Sequence, residues 1–372
     1  MSTQILRTSE RRDFKRCQQR WWWGWREGLK PRGQESTPLW FGSGFHLGLA
    51  EWYLPGLKRG VHPAETFAKY AADALDTIKV ADATEEEVAK YEDACSLGIT
   101  LSEEYIKLYG DDPHMEFIQA EHPFRLPIPW AGSDRQQLYD IPPGTMLVDY
   151  CGTWDGVYRD LTDGKIKLLE TKTAKAIQLT HLTLDDQAGS YYAIASKVLR
   201  ELGLLGPREP IYGITYNFIR KALPDERPRD AEGYYTNKPV KLDYAMALGL
   251  SPTSKLPTIA SLETMAASQG IRVLGERSKS QPPPIFHRED VHRTLPERNA
   301  QLRKIQDEAM AMQVLRDRLL PLTKNPTRDC SWDCSFFAMC ELQDRGGAWE
   351  DFKRMAFVQK DPYADHRKSS DE

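Results

Sequence analysis

The residues best suited to chemistry lie in one hairpin-like stretch. Asp149-Tyr150-Cys151-Gly152-Thr153-Trp154-Asp155-Gly156-Val157 leads through Asp163-Gly164 into Lys165-Ile166-Lys167-Leu168-Leu169-Glu170-Thr171-Lys172. Asp-Gly between two strand-like runs is a strong signal for a tight turn joining antiparallel strands. Side chains alternate along a strand, so Glu170 and Lys172 share a face, Thr171 points away, and a suitable register sets Asp155 beside them. Two carboxylates on one face suit a hard divalent cation that prefers oxygen ligands. The lysine serves another end: its ammonium stabilises negative charge growing on a phosphate, or orients and polarises an attacking water. An isolated Glu-x-Lys is more often a surface ion pair, so the surroundings decide.

Three further polar groups fall in order around the hairpin. His46 stands in Gly42-Ser43-Gly44-Phe45-His46-Leu47-Gly48, and Gln187 and Tyr191 follow the hairpin four residues apart, on one face of a helix. Short extended pieces are expected at Phe117–Leu126, Met146–Arg159, Lys165–Thr173 and Ile211–Ile219, separated by Pro and Gly. Helical periodicity marks Pro63–Ile78, Glu85–Tyr109 and Glu297–Leu319. Between the last two strands, Thr183–Leu202 reads as a helix, with Thr183 and Asp186 resembling a capping box. Strand, hairpin, helix, strand is the order of an α/β core.

The division expected along the chain is a helical region over 1–115, a core over 116–221, and an insertion or linker of unassigned role over 222–296. A C-terminal helix with a cysteine triplet follows over 297–345, then a partly disordered tail over 346–372. At 372 residues and 40% hydrophobic content the chain can bury a substantial core. It has no run of about 18 apolar residues and starts polar and charged, which predicts a protein without a membrane partner, in the cytoplasm.

A net charge of −4 does not mark the whole chain as a nucleic-acid binder. Its distribution is uneven: residues 1–32 hold nine Lys and Arg (Arg7, Arg11, Arg12, Lys15, Arg16, Arg20, Arg26, Lys30, Arg32) against three acids. Such a face could hold phosphates or be a solvated helix surface.

Cys17 stands near the start, with Cys330, Cys334 and Cys340 near the end. Without a secretory signal, such cysteines are better read as thiols or metal ligands than as a disulfide framework. If the four share one centre, they join the two ends of the chain. The run Trp21-Trp22-Trp23-Gly24-Trp25 after Cys17 is suited to shielding such a centre or to stacking on unpaired bases.

Taken together, these residues resemble the RecB-type branch of the PD-(D/E)XK nucleases, and within it the iron-sulfur kind related to the CRISPR-associated adaptation nuclease and the nuclease domain of AddB. The matching elements are Gly42–His46, Asp155 in Gly152–Gly156, Glu170-Thr171-Lys172, Gln187–Tyr191, and Cys17 with the late triplet. The resemblance implies a restriction-endonuclease-like fold, a central mixed sheet flanked by helices. It implies that His46, Asp155, Glu170 and the Thr171 carbonyl bind Mg2+ or Mn2+, while Lys172 serves the attacking water and Gln187 and Tyr191 position strand or water. An imidazole beside two carboxylates leans towards Mn2+. Glu121 fits the family's acidic residue on the first strand, outside the direct ligand set. The implied activity is a DNA exonuclease acting on single strands or ends, in recombination, repair or DNA processing in a prokaryotic or phage-infected cell. The resemblance is also compatible with a recombination or helicase partner. The alternative is a non-catalytic DNA-binding or assembly subunit with the same fold.

The resemblance also implies a [4Fe-4S] cluster on Cys17, Cys330, Cys334 and Cys340. The gaps of three and five residues in the triplet, with one distant partner, differ from the paired spacing of zinc sites, which leaves zinc as the lesser alternative.

Overall fold

The computed structural model describes residues 4–32, 37–80, 84–130, 140–142, 144–251 and 255–364. Its chain divides into two compact units, Met1–Ile219 with Phe286–Glu372, and Arg220–Ile285.

In the first unit, β1 (Gln4–Arg7), α1 (Thr8–Arg16) and β2 (Leu29–Pro31) precede three helices, α2 (Thr37–Trp52), α3 (Pro63–Val80) and α4 (Glu85–Tyr109). Then come β3 (Met115–Pro129), β4 (Met146–Asp160), β5 (Ile166–Ala174), α5 (Asp186–Glu201) and β6 (Ile211–Arg220). The second unit contributes α6 (Lys241–Ala247) and α7 (Ile259–Ser268). The first unit resumes with β7 (Phe286–His292), α8 (Leu295–Arg316), α9 (Phe337–Asp344), α10 (Trp349–Ala356) and β8 (Phe357–Gln359).

Six strands form one mixed sheet in the order β1-β4-β5-β6-β7, with β3 also paired to β4. The α/β layout expected from the sequence is the one observed. β1 runs parallel to β4, from Gln4 opposite Val148 to Arg7 opposite Cys151, whereas β5 pairs antiparallel with β4 from Gly156 to Arg159. The edge of β4 therefore changes partner between Cys151 and Gly156. Asp155 lies in that gap, where backbone groups and side chains are released from the ladder.

Local chemistry explains the elements. The turn predicted at Asp163-Gly164 forms, with Gly164 at φ +72°, a conformation that glycine adopts without strain. Thr84 caps α4 and Thr294 caps α8, each through a reciprocal pair with a glutamate three residues on, Glu87 and Glu297. The helix after the hairpin starts at Asp186, and its cap is Asp185, not Thr183: the Asp185 carboxylate accepts from the amides of Gln187 and Ala188. A carboxylate reaches those amides with a full charge, which complements the helix dipole better than a hydroxyl does.

The main core joins both faces of the sheet through fully buried Tyr150, Trp154, Val157, Leu168, Ile194 and Tyr216. Each such large apolar side chain adds about 1.5–3 kcal/mol to stability relative to exposure. Leu6 of β1 belongs to this core, so the N-terminal segment is part of the sheet rather than a purely helical cap.

The chain ends meet through ordinary protein contacts. Buried Arg11 on α1 donates to Glu308 on α8 at 2.5 Å, and Arg316 pairs with buried Glu10 at 3.2 Å. β2 pairs antiparallel with β8, and buried Tyr363 donates to Glu10. Residues 365–372 of the expected tail lie outside the described residues. The tryptophan run is chiefly packing: Trp21 is fully buried and donates to Glu10, while Trp23 joins a small core with Phe336, Met339 and Phe357. Among the described residues, no helix is long and apolar enough to cross a membrane.

Candidate active site

β4 and β5 bring Asp155, Glu170 and Lys172 together. The Thr171 amide donates to Asp155 Oδ2 at 2.5 Å, and Lys172 Nζ donates to Glu170 Oε1 at 2.7 Å. Thr171 itself is buried, and its hydroxyl accepts from Asn217 on β6 at 3.3 Å. Here Thr171 supplies its amide to the site.

His46 arrives from α2. A side chain at Gly42, one turn earlier, would meet the Thr173 hydroxyl at 3.3 Å, and one at Gly44 would meet the Tyr70 ring at 2.7 Å. These glycines let α2 lie close to the end of β5 and to α3. His46 Nδ1 then stands 3.1 Å from Asp155 Oδ1. Gln187 and Tyr191 arrive from α5: Lys172 Nζ donates to Gln187 Oε1 at 3.3 Å, and the Tyr191 ring packs edge-on against Phe124, 5.3 Å between centroids. Gly152 makes room for both rings, since a Cβ there would fall 2.7 Å from Phe124 Cζ and 2.9 Å from Tyr191 Cε1.

The site's charges are strongly coupled. Burial raises the Glu170 carboxyl above its usual range, with Lys172 opposing and Asp155 adding to the rise. Burial disfavours charge on His46, yet Asp155, Glu170 and Glu121 outweigh it and lift the imidazole to about 9. Lys172 is likewise held above its ordinary value: burial works against the ammonium, and Glu170 and Asp185 overcome it. Burial, then the Glu170 charge, drives the Tyr191 phenol well above its usual value, so it remains neutral.

Glu121 sits between two ladder pairs, Ala120 with Gly156 and His122 with Trp154, and so faces Asp155 across the strands. Its φ of +30° is unusual for a residue with a side chain. Two contributors were not foreseen. Asp185 Oδ2 lies 3.9 Å from Lys172 Nζ, and fully buried Asn217 supports Thr171. The Asp-Asp-Gln at the start of α5 was the available sign of the first; a lone Asn in a strand gave none of the second.

Among the described residues, no group of three or more His, Cys, Asp and Glu side chains stands in a geometry that would hold a single ion. At the carboxylates the neighbouring charges are protein cations, His46 at Asp155 and Lys172 at Glu170. The donor set of imidazole and two carboxylates nonetheless fits a divalent cation in kind.

The four cysteines are free thiols lining one cavity of about 220 Å³, with Trp23, Phe336 and Phe337 as apolar walls. Burial raises the Cys334 and Cys340 thiols. Cys95 and Cys151 are buried elsewhere.

The chain belongs to the PD-(D/E)XK nuclease superfamily, whose family model matches residues 8–341. No curated protein matches the sequence.

Proposed function

We propose that the chain is a divalent-metal-dependent deoxyribonuclease, an exonuclease that hydrolyses phosphodiester bonds of single-stranded DNA or DNA ends. The observation that carries this reading is the Asp155, Glu170 and Lys172 arrangement, with the Thr171 amide fixing Asp155. His46, Asp155 and Glu170 would hold a Mg2+ or Mn2+ ion, which would supply Lewis-acid stabilisation of the phosphate. Lys172, steered by Glu170 and Gln187, directs its ammonium to the attacking water or to a non-bridging phosphate oxygen. Water attacks phosphorus in line and gives up a proton to solvent as its oxygen bonds to phosphorus, the bond to the departing sugar oxygen breaks, and that oxygen takes a proton from solvent. Tyr191, a neutral phenol, and Gln187 position the strand, and Glu121 faces Asp155 from β3.

The cysteine cavity supports a [4Fe-4S] cluster on Cys17, Cys330, Cys334 and Cys340. Four thiols around one apolar-walled space of about 220 Å³, with gaps of three and five residues that differ from the paired spacing of zinc sites, favour a polynuclear centre over zinc. Its role is structural, tying α1 to the segment after α8. Recombination or DNA processing in a prokaryotic or phage-infected cytoplasm, beside a helicase or recombination partner, is the setting this reading fits.

The test is digestion of strands blocked at the 5′ or the 3′ end, with Mn2+. An exonuclease is stopped by one or both blocks; digestion indifferent to either block, as of circular strands, makes the protein an endonuclease.

A further inference from the structure

α1 divides its charges between two faces. Glu10 and Arg11 point into the protein, fully buried and paired with Arg316 and Glu308. The opposite face carries Arg12, Lys15 and Arg16, at the helical spacing of three and four residues that sets side chains side by side. Arg7 precedes them at the end of β1.

These four cations line a cavity of about 860 Å³ whose other wall is Gly152, Lys172 and the start of α5. The same cavity thus reaches from the catalytic lysine along α1, and Arg16 also borders the cysteine cavity. Two acids line it, and both are engaged: Asp185 caps α5, and Asp186 is paired with Lys15. Arg16 is paired with Asp333, and Arg7 donates to the Pro362 carbonyl. Arg12 is exposed and has no ion pair among the described residues. A guanidinium left open on a groove that begins at Lys172 is suited to a phosphate, which it can grip with two parallel hydrogen bonds.

We propose that this face of α1 is the track for the backbone of the substrate strand, with Arg12 holding a phosphate next to the scissile one. The inference rests on the nuclease reading above and names the residues that feed that site. Arg12 is a positioning residue: it fixes where the strand lies, and Lys172 and the carboxylates act on the linkage that is then presented.

The experiment is fluorescence anisotropy with a labelled oligothymidine in EDTA, so that binding is read apart from cleavage, over a series of salt concentrations. Arg12→Ala should weaken binding about tenfold, the scale of one charge-assisted hydrogen bond. The slope of log affinity against log salt should flatten by about 0.7, the value for one phosphate contact on a single strand. Arg12→Lys should restore much of the affinity, and Lys197→Ala, on the exposed side of α5, should change nothing. Melting temperature should not move, because Arg12 is exposed. Wild-type affinity and slope in both Arg12→Ala and Arg12→Glu overturn the track, as does a wild-type protein that binds no strand. Binding that depends on Arg12 without cleavage under any divalent metal would instead sink the nuclease reading and leave the track standing.

Discussion

Asp155 Oδ2 accepts the amide hydrogen of Thr171 at 2.5 Å, a bond that crosses from β4 to β5 just beyond their last paired residues, Gly156 and Leu169. The other oxygen faces His46 Nδ1 at 3.1 Å. One carboxylate therefore closes the ladder with one oxygen and sets the charge of the imidazole with the other.

Asp155→Asn separates these roles. The amide oxygen can still accept from Thr171, so the bond that closes the ladder is kept. The charge is gone, so the His46 pKa should fall from about 9 towards its ordinary value. An NMR titration of His46 reads the shift directly; an unchanged value would mean that Asp155 does not control it.

Cation binding should release protons. His46 is raised to about 9 and is an imidazolium near neutrality, and Glu170 is raised by burial, so both must lose protons before they can ligate. Mn2+ affinity should consequently rise as pH is raised from about 6 to about 9, because proton competition ends only where His46 of the metal-free protein has lost its proton. Calorimetry in buffers of different ionisation enthalpy counts the protons. Affinity independent of pH over this range would contradict the assignment of His46 as a ligand.

Much of this site was legible because its geometry is local. Asp163-Gly164 fixes the β4–β5 hairpin, strand alternation puts Glu170 and Lys172 on one face, and a four-residue step puts Gln187 beside Tyr191. What escaped was non-local. β1 is only four residues long, and its parallel pairing with β4 joins positions more than a hundred residues apart. β7 is Phe-His-Arg-Glu-Asp-Val-His, too polar to resemble a sheet strand, yet Glu289 pairs with Tyr216 and Asp290 anchors Lys167 and Thr215. The cap of α5 was misread by two residues because Thr183 and Asp185 both suit a helix start.

Gly152→Ala should disturb the site without touching a charge. Its methyl group would stand 2.7 Å from Phe124 and 2.9 Å from Tyr191, so one ring must move. Overpacking of this kind costs roughly 1–3 kcal/mol. Urea unfolding should report the loss, and kcat should drop as Tyr191 shifts. Wild-type stability would mean the rings yield freely.

Cys17→Ala should remove iron but leave the fold. Sheet pairing of β1, the Arg11–Glu308 pair and the Arg316–Glu10 pair hold α1 in place without any thiol. Iron and sulfide analysis of anaerobically purified protein, beside circular dichroism, checks both halves. Zinc in place of iron in the wild-type protein would overturn the cluster, and loss of secondary structure in the variant would show that the cluster carries the closure.

The most direct measurement is digestion of labelled single-stranded DNA with Mn2+ by the wild-type protein and by Asp155→Ala, Glu170→Ala and Lys172→Ala. The wild type should degrade the strand, and each variant should fall by at least about a hundredfold, the scale of one electrostatic catalytic group. Wild-type rates in all three variants, or no cleavage by the wild type under any divalent metal, would contradict the account.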